Sequence, residues 1–294
     1  MIEKIVAFGD TAILHFAFSI LHLLGEMPMS IQTIKNGNLE YLVAEEITVP
    51  HAFTTRHGGV SSGSQDSLNL AIGRGDSPGN VEANLRILAK ELQADPEKYV
   101  LTRQTHSDIV RAVTDADCNG FFHRDYPECD ALVTNTPGVT LLVFTADCTP
   151  LLLQDPVTGA VGAAHAGWRG TAQNIAAKTV EAMVRNFGCK PEDIRAAIGP
   201  NLGQCHFETD LDVPAALTAA YGEEIQAYIM HKGEKYYPDL KGINALALRR
   251  AGVRNIEVSD ACTWCESDRF WSHRVTKGDR GSQGAAITCK GGTE

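Results

Sequence analysis

The sequence predicts an α+β fold, with mixed β-sheets flanked by helices in layers and one domain spanning residues 29–294. Three observations lead there. Short, apolar, β-prone segments outnumber helical ones, several adjoin without an intervening helix, and no repeat or low-complexity linker divides the chain beyond its first residues. Strands are expected at 40–44, 51–55, 98–103, 109–114, 130–134, 140–146, 160–165, 194–198, 256–259 and 284–289. Three helices fall between them. Ser77-Pro78 opens the first, whose Val81, Leu85, Leu88 and Leu92 form one buried stripe. Thr171 is placed to cap the second, through Ile175, Val180, Met183, Val184 and Phe187 to a stop at Gly188. The third runs from Asp239 through Leu246 and Leu248 to Gly252.

Composition narrows the function class. With 294 residues, 44% hydrophobic and 21% charged, the chain can bury a substantial core without disulfides. A net charge of −10 argues against nucleic acid or an anionic membrane as the main partner and favours a small-molecule substrate. The eight cysteines (118, 129, 148, 189, 205, 262, 265 and 289) are scattered, which fits a reducing cytoplasm better than a secreted disulfide framework. Near the N-terminus, Ala12 to Leu24 is an apolar run too short to span a bilayer, and it lacks a signal-peptide cleavage site. Residues 1–28 are therefore expected to be a non-native leader, translated from upstream, or a disordered extension, with Met27 or Met29 as the native start. The codons of Gly25-Glu26 can hold a purine-rich ribosome-binding sequence, and the intact mass from the native host decides the matter.

Cys148 and His165 are the most informative pair. The segment Thr140 to Gln154 is apolar and β-prone, Asp155-Pro156-Val157-Thr158-Gly159 reads as a type I turn, and Ala160 to His165 returns. A turn over 155–158 sets Cys148 directly opposite His165, with Cβ atoms roughly 4.5–5.5 Å apart. Pro150 is the weak point, since it can force a bulge or a shifted register. A thiolate and an imidazole so placed can share a metal or act as nucleophile and base. His106 supplies a third group, and Cys-His-His with one position open is the pattern of a catalytic zinc site.

Other polar groups are candidates for holding substrate. Arg56 precedes Gly58-Gly59, a pair that permits close backbone approach, and its guanidinium can grip phosphate or a purine edge. Arg169, at the start of the second helix, can bind an anion together with the free N–H groups of the first turn. Asn69 and Gln104 can hydrogen-bond ribose or base, and either Asp147 or Asp108 can orient a ligand histidine. Trp168 stacks on a base or is simply buried. Cys262-Thr-Trp-Cys265 has the spacing of half a zinc knuckle, but without a second Cys-x-x-Cys it reads as structural or incidental.

The segments Thr55-Arg56-His-Gly58-Gly59-Val60-Ser61, Ser67-Leu-Asn69-Leu70, Gln104-Thr-His106, Glu128-Cys-Asp130-Ala131-Leu132, Thr145-Ala-Asp147-Cys148-Thr-Pro150, Ala164-His165-Ala-Gly167-Trp168-Arg169-Gly170 and Ile198-Gly-Pro200 occur in that order. Over about residues 45–290 they closely resemble the laccase-domain family, long labelled multicopper polyphenol oxidase-like and described as purine nucleoside phosphorylases. The resemblance implies a zinc site of His106, Cys148 and His165. It also implies phosphorolysis of adenosine, inosine and methylthioadenosine, adenosine deamination, and a homodimer. Cys205-His206-Phe-Glu208 falls where the family has a cysteine- and glutamate-bearing segment, expected to line the pocket without binding metal. Ser282 stands where many relatives carry arginine, which puts a role for that position in doubt. The His-x-Glu of zinc deaminases is absent, leaving a deaminase's proton carrier unassigned.

Two other enzyme classes stay open. His₂Cys is also a blue-copper ligand set, which fits a copper-dependent phenol oxidase, and copper binding in vitro is expected. Four-copper oxidases, however, use paired His-x-His motifs, and the ten histidines include none. The second class is a metal-free Cys-His hydrolase or deamidase. A non-catalytic binding module leaves the clustering of reactive groups without purpose.

Overall fold

The strands at 140–145, 149–154, 161–166 and 283–288 are buried at every residue, a pattern that requires cover on both faces of a sheet. The computed structural model, which describes residues 31–118, 120–122 and 127–292, shows how that cover is built. The expected leader at 1–28 lies outside the described residues. Among the described residues, the fourteen strands are β1 (Gln32–Asn36), β2 (Leu39–Val43), β3 (His51–Thr54), β4 (Tyr99–Leu101), β5 (Val110–Ala112), β6 (Ala131–Thr134), β7 (Thr140–Thr145), β8 (Thr149–Gln154), β9 (Val161–Ala166), β10 (Arg195–Ile198), β11 (Ile229–Lys232), β12 (Lys235–Pro238), β13 (Asn255–Val258) and β14 (Gln283–Thr288). The helices are α1 (Pro78–Glu91), α2 (Trp168–Ala172), α3 (Ile175–Phe187), α4 (Asp212–Tyr221), α5 (Leu240–Arg250) and α6 (His273–Thr276).

Two six-stranded sheets carry the fold, in the orders β1-β2-β3-β14-β7-β4 and β13-β10-β8-β9-β6-β5, beside the small β11-β12 hairpin. Most pairs are antiparallel, while β4–β7, β5–β6 and β10–β13 are parallel, so both sheets are mixed. Alternation along each strand divides the core into layers. Leu141 and Val143 of β7 meet Leu152 of β8 and Ala163 of β9 between the sheets. Leu142 and Phe144 face outward to Leu85 and Leu88 of α1. Leu151 and Leu153 face Val180 and Met183 of α3 and Leu248 of α5. The expected α+β arrangement of mixed sheets in layers is thus observed.

Local chemistry explains the agreement and the departures. Ser77 Oγ accepts from Asn80 N–H and Pro78 begins α1, as the sequence requires. Asp239 likewise caps α5 through Gly242 N–H. Thr171 does not cap the second helix. It lies inside the short α2, where its Oγ1 accepts from Asn244, and the chain breaks at Asn174 (φ +64°) before α3. Tyr221 donates to both Thr171 O and Asn174 Oδ1, tying the break to α4.

The β8–β9 register also differs from expectation. Pro150 pairs with His165 and Gln154 with Val161, so Cys148 is not directly opposite His165. Asp155 Oδ1 accepts from Val157 and Thr158 N–H and Gly159 turns left-handed (φ +74°), which lengthens the loop by two residues. A slip of two, unlike a slip of one, leaves both side chains on the same face. Pro150 is accommodated near the start of β8, its carbonyl accepting from Gly199 N–H.

Candidate active site

The chain passes from the first sheet to the second between β7 and β8, and Cys148 sits at the end of that crossing. Asp147 makes the bend at φ +87°, held by Thr263 Oγ1 on Oδ1 (2.6 Å), Arg274 N–H on Oδ2 (2.7 Å) and Leu202 N–H on its carbonyl (2.9 Å). Asp147 therefore aims Cys148 and does not orient a histidine. Asp108 does not either, being ion-paired with Lys178. The partner of His165 is Asp130, whose Oδ1 lies 2.8 Å from Nδ1. The same carboxylate accepts from the N–H groups of Thr105, His106 and Ser107 and from Ser107 Oγ, fixing the loop on which His106 stands at φ +62°.

These supports bring the three expected groups together: one nitrogen each of His106 and His165 and the sulfur of Cys148 lie within 4.8 Å of one another. Cys148 Sγ is 3.8 Å from His106 Nε2, and the imidazoles meet edge-on with centroids 5.0 Å apart. Asp130 occupies His165 Nδ1, leaving Nε2 to face the other two. Gly167 makes room for the cluster, since a Cβ there would lie 2.8 Å from His106 Cδ2 and 3.1 Å from Cys148 Sγ.

Electrostatics favour a thiolate. Burial pushes the Cys148 thiol up, but the charges and hydrogen bonds of His165 and His106 outweigh it and leave the group at about 6. Burial opposes the His165 imidazolium, yet Cys148 and Asp130 raise that group to about 9. Burial likewise opposes the Asp130 carboxylate, but the hydrogen bonds from His165 and Ser107 bring it down to about 2. A thiolate and two imidazoles at these separations suit a tetrahedral zinc ion, for which Zn–S of about 2.3 Å and Zn–N of about 2.0 Å imply S–N separations of about 3.5 Å.

The cluster opens into a cavity of about 440 Å³, within the usual range for a small-molecule site. Ile72, Phe144, Leu202 and Phe207 form its apolar lining, while Arg74, Gln104, Asp147, His273, Arg274 and Arg280 form the polar part. Sequence reasoning missed three of these cations. Arg280 is buried. Its Nη1 donates to Gly281 O and Ser282 Oγ, and its Nε has no hydrogen-bond partner among the described residues. Burial and nearby Arg74 push the Arg280 guanidinium down to about 10, against the opposing pull of Asp147 and Cys148. Ser282, the departure from the family pattern, lines the cavity beside Arg280 and accepts from its Nη1 through Oγ.

The remaining expected substrate groups lie elsewhere or are already engaged. Arg56 is not among the residues lining the cavity. Its guanidinium donates to Asp66 O and Ser267 O and lies 4.0 Å over the Trp271 ring. Arg169 is exposed and stacks on Trp168, which packs against the core; neither lines the cavity. Asn69 is fully buried, its Oδ1 accepting from Ser282 N–H and Ala71 N–H, so it shapes the cavity wall from behind. Gln104 does line the cavity, although its amide already bonds Phe144 N–H and carbonyl.

Comparison with known proteins identifies the family of the chain. The family model described as "Multi-copper polyphenol oxidoreductase laccase" matches residues 50–290. A purine nucleoside phosphorylase of Deinococcus radiodurans is 43% identical over 250 residues, covering 85% of this chain and 92% of that protein. Purine nucleoside phosphorylase YlmD of Geobacillus stearothermophilus is 39% identical, covering 80% of this chain and 88% of that one. The crystal structure of hypothetical protein YfiH from Bacillus licheniformis superposes with a TM-score of 0.83 at 36% identity, over 88% of this chain and 99% of that one. Agreement across nearly the whole of each chain leaves one assignment: the protein belongs to the multi-copper polyphenol oxidoreductase laccase family, whose relatives here are named purine nucleoside phosphorylases.

Proposed function

We propose that the protein is a zinc-dependent purine nucleoside phosphorylase of the cytoplasm, splitting adenosine, inosine and methylthioadenosine into free base and the corresponding ribose 1-phosphate. One observation carries the reading: a Cys-His-His cluster and two guanidinium groups, Arg74 and Arg280, line the same cavity. The relatives' names point the same way.

His106, Cys148 and His165 would hold the zinc, which supplies Lewis-acid stabilisation of developing negative charge when bound. Arg280 and Arg74, whose side chains line the cavity, bind phosphate and hold one oxygen toward ribose C1′. The new C1′–O bond forms as the bond from C1′ to the purine nitrogen breaks, with its electron pair leaving on the base, whose nitrogen takes up the proton that hydrogen phosphate carried. Phe144, Phe207 and Leu202 shield the sugar from water, which disfavours simple hydrolysis. Among the described residues, no helix is long and apolar enough to cross a membrane.

Product analysis tests the proposal. Metal-quantified protein is incubated with adenosine, with and without phosphate, beside His106→Ala and Cys148→Ala. Phosphate-dependent adenine and ribose 1-phosphate, lost in both variants, is the expected result; inosine formed without phosphate would mark deamination in the same cavity. Full activity in metal-free Cys148→Ala overturns the zinc mechanism.

One observation favours a second reading. Cys148, His165 and Asp130 also have the order of a nucleophile, a base and an orienting carboxylate, which suits a metal-free thiol hydrolase. Inactivation by one equivalent of alkylating agent, with indifference to chelators, would select it. The position of His106 beside the same sulfur is what favours the metal.

A further inference from the structure

A second cluster lies outside the site already described. Cys205, His206, Cys262 and Cys265 bring three sulfurs and one ring nitrogen within 4.8 Å of one another. Cys205 Sγ is 3.6 Å from Cys262 Sγ and 3.7 Å from Cys265 Sγ, while His206 Nδ1 is 3.2 Å from Cys205 Sγ and 3.4 Å from Cys265 Sγ. A tetrahedral zinc ion with Zn–S of about 2.3 Å and Zn–N of about 2.0 Å sets S–S edges near 3.8 Å and S–N edges near 3.5 Å. These four separations are close to those edges and the rest lie within 4.8 Å, whereas a disulfide would need sulfurs about 2.05 Å apart. All four cysteine and histidine positions are filled, the closed set of a structural site rather than an open catalytic one.

The surroundings of Cys262 suit a thiolate on a metal. Backbone N–H groups of Gly203, Trp264 and Cys265 face Cys262 Sγ, the first at 3.3 Å. These donors include the second and third residues after Cys262, the arrangement that Cys-x-x-Cys spacing creates when it wraps an ion. Three thiolates on a divalent cation leave a net negative charge. Lys241 is placed to offset it: the side chain is buried, its ammonium donates to Ser259 O and Ala261 O, and Cys262 and Cys205 are among its neighbouring charges. His206 is fixed by stacking on Trp264, with centroids 5.1 Å apart.

We propose that Cys205, His206, Cys262 and Cys265 form a structural zinc site that fastens one wall of the catalytic cavity. The missing half of the knuckle is Cys205-His206, on the turn after β10, rather than a second Cys-x-x-Cys. Next to His206 is Phe207, which lines the cavity, and between Cys262 and Cys265 is Thr263, which holds Asp147. The site clamps these two segments to each other. It does not depend on which reaction the cavity performs.

Zinc stoichiometry and cobalt substitution of the full chain provide the test. Wild-type protein purified under reducing conditions is expected to hold two zinc ions per chain, and Cys148→Ala to retain one through dialysis against EDTA. Cobalt-loaded Cys148→Ala should show the strong thiolate charge-transfer bands of a tetrahedral three-sulfur site. Cys265→Ser, at an exposed position, and His206→Gln should each lose that ion and those bands while Cys148 and its partners keep theirs. A folded Cys148→Ala protein without metal or charge-transfer bands overturns the proposal, as does a wild-type mass showing two of these cysteines oxidised to a disulfide. Failure of phosphorolysis with both ions present would count against the proposed function alone.

Discussion

Replacing Asp130 with asparagine should loosen both histidines of the active site at once, because this one carboxylate holds His165 by its ring and His106 by its backbone. It accepts from His165 Nδ1 at 2.8 Å, from the N–H groups of Thr105 and His106 at 3.1 Å each, and from Ser107 N–H and Oγ at 2.7 Å each. The amide preserves shape but turns a donor toward groups that are themselves donors, leaving at least one buried N–H unpaired. The carboxyl sits at about 2 against an ordinary 3.8, and that gap converts to about 2 kcal/mol of stabilisation at neutral pH. Since the folded-state value is depressed, the contribution is complete above about pH 4 and fades as pH falls toward about 2. Stabilities of zinc-free wild type and Asp130→Asn should therefore converge over that window in denaturant titrations. Loss of a carboxylate that orients a ligand histidine typically costs 10–100-fold in metal affinity, so competition with a chromophoric chelator should show a drop of about that size. Affinity unchanged to within about threefold, in a variant with native circular dichroism, would refute the orienting role.

Three further outcomes follow from the same geometry. Gly167→Ala has ordinary backbone angles (φ −68°) but drives a Cβ to 2.8 Å from His106, so zinc affinity measured calorimetrically should fall about tenfold or more while the zinc-free fold survives. Arg280→Met and Arg74→Met should each raise the KM for phosphate about tenfold or more in steady-state assays, whereas Arg56→Met should leave it unchanged and cost about 2 kcal/mol of stability by thermal unfolding. In zinc-free protein, alkylation of Cys148, followed by peptide mass, should have its midpoint near pH 6 instead of the ordinary 9.0, and zinc should block it.

How much of this the sequence disclosed depended on the range of the interaction involved. The first helix was legible because Ser77, Pro78 and the spacing of Val81, Leu85 and Leu88 act within a few residues of one another. The Cys148–His165 pairing was legible through turn chemistry, and its two-residue error came from the Asp155 carboxylate, which stretches the loop without changing which face the strand presents. Asp130 was invisible in that role, since its partners are 23 to 35 residues away and meet it only when β6 pairs with β9. Arg56 misled because Gly58-Gly59 does permit close approach, but of the chain's own backbone: Cβ atoms there would meet Leu39 Cα at 2.3 Å and Ser67 O at 2.2 Å. The exposed β11-β12 hairpin buries too little to leave an apolar pattern. Cys262-Thr-Trp-Cys265 looked incomplete because its complement lies nearly sixty residues upstream.

Asp147 is where the two clusters meet, which gives the proposed structural site a route to the catalytic one. Its carboxylate takes Thr263 Oγ1 at 2.6 Å on one oxygen and Arg274 N–H at 2.7 Å on the other, and the next residue is Cys148. Thr263 is fully buried between two of the proposed zinc ligands, so its hydroxyl is held wherever those ligands are held. Thr263→Val keeps the side-chain shape and removes only that hydroxyl. A hydrogen bond to a charged group contributes about 1.5–3 kcal/mol, and its loss leaves one oxygen of a partly buried carboxylate bare. Both metal sites should remain filled, because no ligand is touched, while the cobalt spectrum at Cys148 shifts and kcat/KM falls. A loss of thermal stability with unaltered kcat/KM and an unaltered spectrum would mean that Thr263 merely packs, and that the cavity wall and the catalytic thiolate are positioned independently.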